Sequence, residues 1–108
     1  MLACLAYEEV YGSVANVETK VGQTVHLKFD KFIRNIDIEL KCSESGIAYY
    51  RAIIKDGKIT KYGARRFGNR ITFIDGNLII RDVNENDAIP YVYKLGHYSQ
   101  KVRLILSH

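Results

Sequence analysis

The chain has 108 residues, 47% of them hydrophobic and 26% charged, and a net charge of +4. That is ordinary globular composition for a single domain with one core. It excludes a disordered chain, a collagen repeat, a coiled coil and a disulfide-dense miniprotein. No apolar run approaches the roughly 20 residues that a membrane-spanning helix needs.

The N-terminus reads Met1-Leu2-Ala3-Cys4-Leu5-Ala6. Two readings stand open: the tail of a clipped secretory signal, or a first strand after a start Met. The segment is too short for a whole apolar signal core, and no basic stretch precedes it. Cys4 and Cys42 are the only cysteines, and neither belongs to a Cys-x-x-Cys pair or a zinc spacing. A Cys4–Cys42 bridge would imply an oxidising compartment. No Asn-x-Ser/Thr glycosylation acceptor is present.

Helix signals are nearly absent along the rest of the chain, and glycines punctuate short runs rich in Val, Ile, Tyr and Phe. Val25-His26-Leu27-Lys28-Phe29 alternates apolar with polar, the mark of a half-buried strand, with Val25, Leu27 and Phe29 inward and His26 outward. Ile36 to Cys42 alternates in the same way. Asp56-Gly57, between Ile53-Ile54 and Ile59, signals a hairpin. Asp75-Gly76 signals a second, between Arg70–Ile74 and Asn77–Val83. Gly96-His97-Tyr98 joins Tyr91–Leu95 to Lys101–Leu106 as a third. Seven to nine short strands with frequent turns predict an all-β, two-sheet antiparallel sandwich filling residues 1–108 as one domain.

One stretch is more specific. Arg70 opens a strand, Leu78-Ile79-Ile80-Arg81-Asp82-Val83 follows, and Asp87-Ala88-Ile89-Pro90-Tyr91-Val92-Tyr93 leads into the next strand. This resembles the second half of an immunoglobulin domain, and Gly22 to Phe29 is similar to that family's strand B entry. The resemblance spans roughly Val14 to Leu106 and implies a Greek-key immunoglobulin-like sandwich of variable or intermediate type. It implies structural roles for Phe29, Arg70, Leu78, Asp87, Tyr91 and Tyr93. Tyr91 would be the tyrosine corner, its hydroxyl capping an upstream backbone group, and Asp87 would pair with Arg70.

The sequence also departs from the family. Phe29 and Tyr93 stand where the inter-sheet cysteines belong, and there is no Trp for strand C. Strand C has two placements: one near Cys42, the other over Ile47–Arg51, with Tyr49 or Tyr50 as the core aromatic. Domains without the bridge include N-terminal domains of cell-surface adhesion receptors and many intracellular muscle-protein modules.

Charge is uneven. Between Ala48 and Thr72, Arg51, Lys55, Lys58, Lys61, Arg65, Arg66 and Arg70 face only Asp56, so this window carries +6 and the remainder −2. A solvated face explains this as well as an acidic protein, glycan or phosphate partner does. No catalytic constellation emerges from His26, His97 and His108, and no metal or cofactor motif is evident. Asp82 to Asp87 lacks the Gly and terminal Glu of a calcium loop, and its Asn and Asp residues read as turn caps.

The expected protein is therefore not an enzyme and needs no cofactor. The resemblance implies a protein-recognition or adhesion module, extracellular or at the cell surface, with a cytoplasmic location as the alternative. It would bind a protein partner or a second copy through the face of strands C, C′, F and G. Candidate contact residues are Tyr50, Arg51, Lys55, Lys58, Lys61, Tyr62, Lys94, His97 and Tyr98, because Tyr and Arg favour interface centres. A structural module of a larger scaffold is the alternative. Nucleic-acid binding is the weakest reading, resting on Arg65-Arg66-Phe67.

Overall fold

The computed structural model describes residues 11–107, with side chains from residue 15 onward. Among the described residues nine strands run in the order β1 (Tyr11–Thr19), β2 (Val25–Lys28), β3 (Ile36–Lys41), β4 (Ala48–Lys55), β5 (Lys58–Ile59), β6 (Ile71–Ile74), β7 (Asn77–Ile80), β8 (Pro90–Leu95) and β9 (Tyr98–Leu106). One short helix, α1 (Lys61–Phe67), lies between β5 and β6. The strands form a six-stranded sheet, β1-β9-β8-β3-β4-β5, and a three-stranded sheet, β2-β7-β6. β1 runs parallel to β9 and every other pairing is antiparallel.

Alternation decides which face of each strand is inside. In β2, Val25 and Leu27 are buried while His26 and Lys28 are exposed. In β7, Leu78 and Ile80 are fully buried. Ile36 and Ile38 of β3, Ile53 and Ile54 of β4, Tyr91 of β8 and Leu104 of β9 complete the layer between the sheets. Each such side chain contributes about 1.5–3 kcal/mol of transfer free energy. The hairpin turns follow from composition. Asp56-Gly57 and Asp75-Gly76 place both central residues at positive φ (52° and 78°, 49° and 77°), the primed turn whose twist matches the flanking strands.

Strand C is resolved by pairing. β3 sits between β8 and β4, so strand C is Ile36–Lys41 and the segment Ala48–Lys55 is its neighbour C′. Of the two sequence placements, the one near Cys42 holds, because β3 ends at Lys41, and the one over Ile47–Arg51 does not. Tyr49 and Tyr50 are half-buried, not core, and Ile36 and Ile38 fill the strand C interior. Phe29 and Tyr93 pack edge to face, ring centroids 5.0 Å apart, where the family has its inter-sheet cysteines. Such a pair contributes about 0.5–1.5 kcal/mol beyond its area burial.

The helix is the element that the sequence pattern misses. Seven residues are too few to be helical alone in water, so α1 depends on caps and packing. The Thr60 side chain accepts a hydrogen bond from the Gly63 amide at 3.0 Å and donates one to the Ala52 carbonyl at 2.7 Å. Gly63 lies against β4 so closely that a Cβ would stand 2.7 Å from the Ile53 carbonyl oxygen. Phe67 then drops into the core.

Cys42 follows β3, is half-buried and is not a free thiol. The two readings of residues 1–6, and the question of a bridge to Cys4, lie outside the described residues.

Candidate functional site

The two ends of β8 are built differently. At its start, Asp87 is 1% exposed and takes the Arg70 guanidinium in two bonds, Nη1–Oδ2 at 2.7 Å and Nη2–Oδ1 at 3.1 Å. The hydrogen bond to Asp87, opposed by partial burial, raises the Arg70 pKa above its usual value, so the guanidinium stays charged. The same carboxylate accepts the Asn84 amide at 2.9 Å, and Asn84 caps the 3-10 turn Glu85–Asp87 in return. The Tyr91 hydroxyl donates to the Asp87 carbonyl at 2.9 Å. Burial, reinforced by the Asp87 charge, pushes the Tyr91 phenol far above its ordinary range. Within Asp82 to Asp87, the Asn84 and Asp87 side chains thus cap backbone. Among the described residues no cluster of His, Cys, Asp or Glu is placed to hold a metal ion.

At the other end of β8, the outer face of the large sheet meets the β2–β3 loop. Cross-strand register puts Asp37, Val92 and Lys101 side by side on that face, with Glu39 opposite Tyr50 and Lys94 opposite Ser99. The Lys101 ammonium lies 3.0 Å from Glu39 Oε1, which also accepts the Tyr50 hydroxyl at 3.1 Å. Lys101, Val92 and Ser99 are buried, so the middle of this face is not open to solvent. Toward the β8–β9 hairpin the face becomes accessible. A concavity there is lined by Phe32, Arg34, Asp37, Tyr50, Val92 and Lys94. Phe32 on it is 76% exposed, and on the adjoining β8–β9 hairpin Leu95 and Tyr98 are each 54% exposed.

The loops of this rim are held in place. The Arg34 guanidinium donates to the Asp56 carbonyl at 2.7 Å, the Asp56 amide donates to the Asn35 side chain at 3.0 Å, and the Gly57 amide donates to the Arg34 carbonyl at 2.8 Å. The β2–β3 loop and the β4–β5 turn therefore form one ledge. The Phe29 amide reaches the Gly76 carbonyl at 2.7 Å and ties the β6–β7 turn to the same end.

The nine sequence candidates do not form one surface. Tyr50 and Lys94 belong to the outer face, His97 lies in the β8–β9 turn, and Tyr98, opposite Leu95, alternates to the other face. Lys55 and Lys58 lie opposite each other beside the β4–β5 turn. Arg51 shares the inner side of its strand with Ile38 and turns toward α1, its guanidinium 4.4 Å from the centre of the Tyr62 ring; Lys61 is exposed on the helix. Sequence reasoning omits Phe32 and Arg34. The signal for Phe32 is a lone aromatic in Asp30-Lys31-Phe32, outside any alternating run.

The sheet order, the Arg70–Asp87–Tyr91 constellation and the parallel β1–β9 pairing define an immunoglobulin-like sandwich of variable type, with an aromatic pair at the usual inter-sheet cysteine positions. Solved structures agree on the fold. The chain is similar to the extracellular domain of the voltage-gated sodium channel β4 subunit, at 14% identity and a TM-score of 0.52. That match covers 94% of this chain and 92% of the other. It is also similar to the first immunoglobulin-like domain of human CD48 antigen, at 13% identity and a TM-score of 0.53, over 96% and 88% of the two chains. No protein-family model matches the sequence, and no curated protein does. Among the described residues no helix is long and apolar enough to cross a membrane.

Proposed function

We propose that this domain is a non-enzymatic, extracellular recognition module that binds a second copy of itself. Contact would run through the rim of its C, C′, F and G sheet face. The observation that carries the reading is the exposed Phe32 on a concavity flanked by Arg34 and Lys94, with exposed Leu95 and Tyr98 on the adjoining β8–β9 hairpin. Large apolar side chains left exposed at a pinned end of the domain are the kind of feature that marks an interaction site. Tyr98 and Phe32 supply area at low entropic cost. The β4-subunit domain is described as a parallel homodimer with a role in cell–cell adhesion, and the same mode of use is proposed here.

The test is sedimentation velocity over a wide concentration range at low and high salt. The wild-type chain should dimerise, and no more weakly at high salt, since salt screens repulsion between two copies of a +4 chain. Phe32→Ala with Tyr98→Ala should remain monomeric with an unchanged melting temperature. A wild-type monomer at every concentration and salt would remove self-recognition.

A further inference from the structure

The edge of the large sheet beyond β4 carries Arg51, Lys55, Lys58, Lys61, Arg65 and Arg66, and among the described residues none of them forms a salt bridge. Helix α1 contains no acidic residue. Two placements on this edge oppose folding. Lys55 and Lys58 are direct cross-strand partners, where like charges repel. Lys61 and Arg65 stand one helical turn apart, again like against like. Part of the cluster is rigid. Arg51 stacks on Tyr62, and Arg66 donates to the Tyr62 hydroxyl at 3.4 Å and to the Asn86 carbonyl at 3.0 Å. The Nε of Arg66 is buried without a hydrogen-bond partner. Arg51, Tyr62, Arg65 and Arg66 enclose a shallow concavity at the centre of this edge.

The chemistry of the edge selects its ligand. Ile59 is its only large apolar side chain among the exposed ones described, at 38%. A protein interface favours an aromatic or aliphatic centre and few lysines, which this edge does not offer. Single-stranded nucleic acid needs free aromatic faces for base stacking. Here Arg51 covers a face of Tyr62, and Phe67 is buried. Guanidinium and ammonium groups spread along an edge without apolar anchors suit a chain of oxyanions. We propose that the β4–β5–α1 edge binds a linear sulfated polysaccharide. This edge adjoins the rim at the β4–β5 turn, but the concavity of Arg51, Tyr62, Arg65 and Arg66 shares no lining residue with the rim's, and the proposal does not depend on the rim's function.

The experiment uses the whole 108-residue chain and a heparin oligosaccharide as probe, titrated calorimetrically at several salt concentrations. Lys61→Gln with Arg65→Gln should weaken binding at least tenfold. The slope of log affinity against log salt should fall by about 1.4, the loss of two counterion-releasing contacts. Lys28→Gln with Arg103→Gln, an equal charge loss elsewhere, should change affinity less than twofold. Lys58→Gln alone should weaken binding about threefold and leaves the helix untouched. Removing the Lys61–Arg65 repulsion should leave the melting temperature equal or higher. Equal losses in the control variant would reduce the effect to net charge and overturn the proposal. So would undiminished binding of desulfated heparin, or tighter binding of polyglutamate or a single-stranded oligonucleotide.

Discussion

The two ends of strand β8 differ in how their polar groups are used. At the Tyr91 end every polar group named is spent inside the domain: Arg70 on Asp87, Asp87 on Asn84, Tyr91 on the Asp87 backbone. At the Leu95 end the ledge is pinned through backbone and amide contacts, while Phe32, Lys94 and Tyr98 stay exposed. One end fixes a loop and the other presents a surface on a fixed loop. Rigid presentation lowers the entropy lost when a partner docks. The contrast also separates two kinds of arginine. Arg70 is neutralised and structural, whereas among the described residues no carboxylate pairs with the arginines on and beside α1.

Substitutions can sharpen this contrast, and the largest effect belongs to the closed end. Asp87→Ala leaves Arg70 without its partner and uncaps Asn84. It should cost about 3–4 kcal/mol, read by urea unfolding. Phe29→Ala removes a buried ring and its edge-to-face contact with Tyr93, and about 3 kcal/mol is expected. A loss below 1 kcal/mol would mean that the aromatic pair does not take over the cross-link's role. Gly63→Ala forces α1 away from the Ile53 carbonyl and should cost about 1–3 kcal/mol, with loss of helical circular dichroism.

Tyr91→Phe should cost about 1 kcal/mol near neutrality, because one buried hydrogen bond is lost. Its clearer signature is at high pH. The unfolded phenol releases its proton from about pH 10 while the folded one keeps it. That tyrosine therefore contributes stability below pH 10 that disappears as pH rises, at about 1.4 kcal/mol per unit. Tyr91→Phe should flatten the alkaline limb by that amount, and parallel limbs in the two proteins would contradict the burial. At the open end, Phe32→Ala should change stability by less than 0.5 kcal/mol. A large loss there would make Phe32 part of the core and erase the contrast.

How much of this is legible in sequence depends on the range of the signal. Arg70, Asp87 and Tyr91 are legible because their spacing is set by one hairpin and one short turn. The Asp-Gly hairpins are legible for the same local reason. Strand C is not, because Ile36–Lys41 and Ala48–Lys55 both look like half-buried strands. Only pairing with β8 makes one central and the other its neighbour. Helix α1 is invisible because its stability comes from Gly63 meeting β4, a contact that local propensity does not encode. The division of the candidate residues is equally hidden. Tyr50 and Arg51 are adjacent in sequence, and the alternation of a strand sends them to opposite faces.

The parallel pairing of β1 with β9 has a mechanical consequence. The chain enters β1 beside the start of β9 and leaves β9 beside the end of β1, from Tyr11 opposite Ser99 to Thr19 opposite Leu106. Tension applied along the chain across this pair pulls the two strands past each other lengthwise. The evenly spaced bonds of a parallel ladder then bear the load together, not one after another. A domain tethered at one terminus and pulled through the other would resist as a clamp, yielding abruptly at a single threshold force.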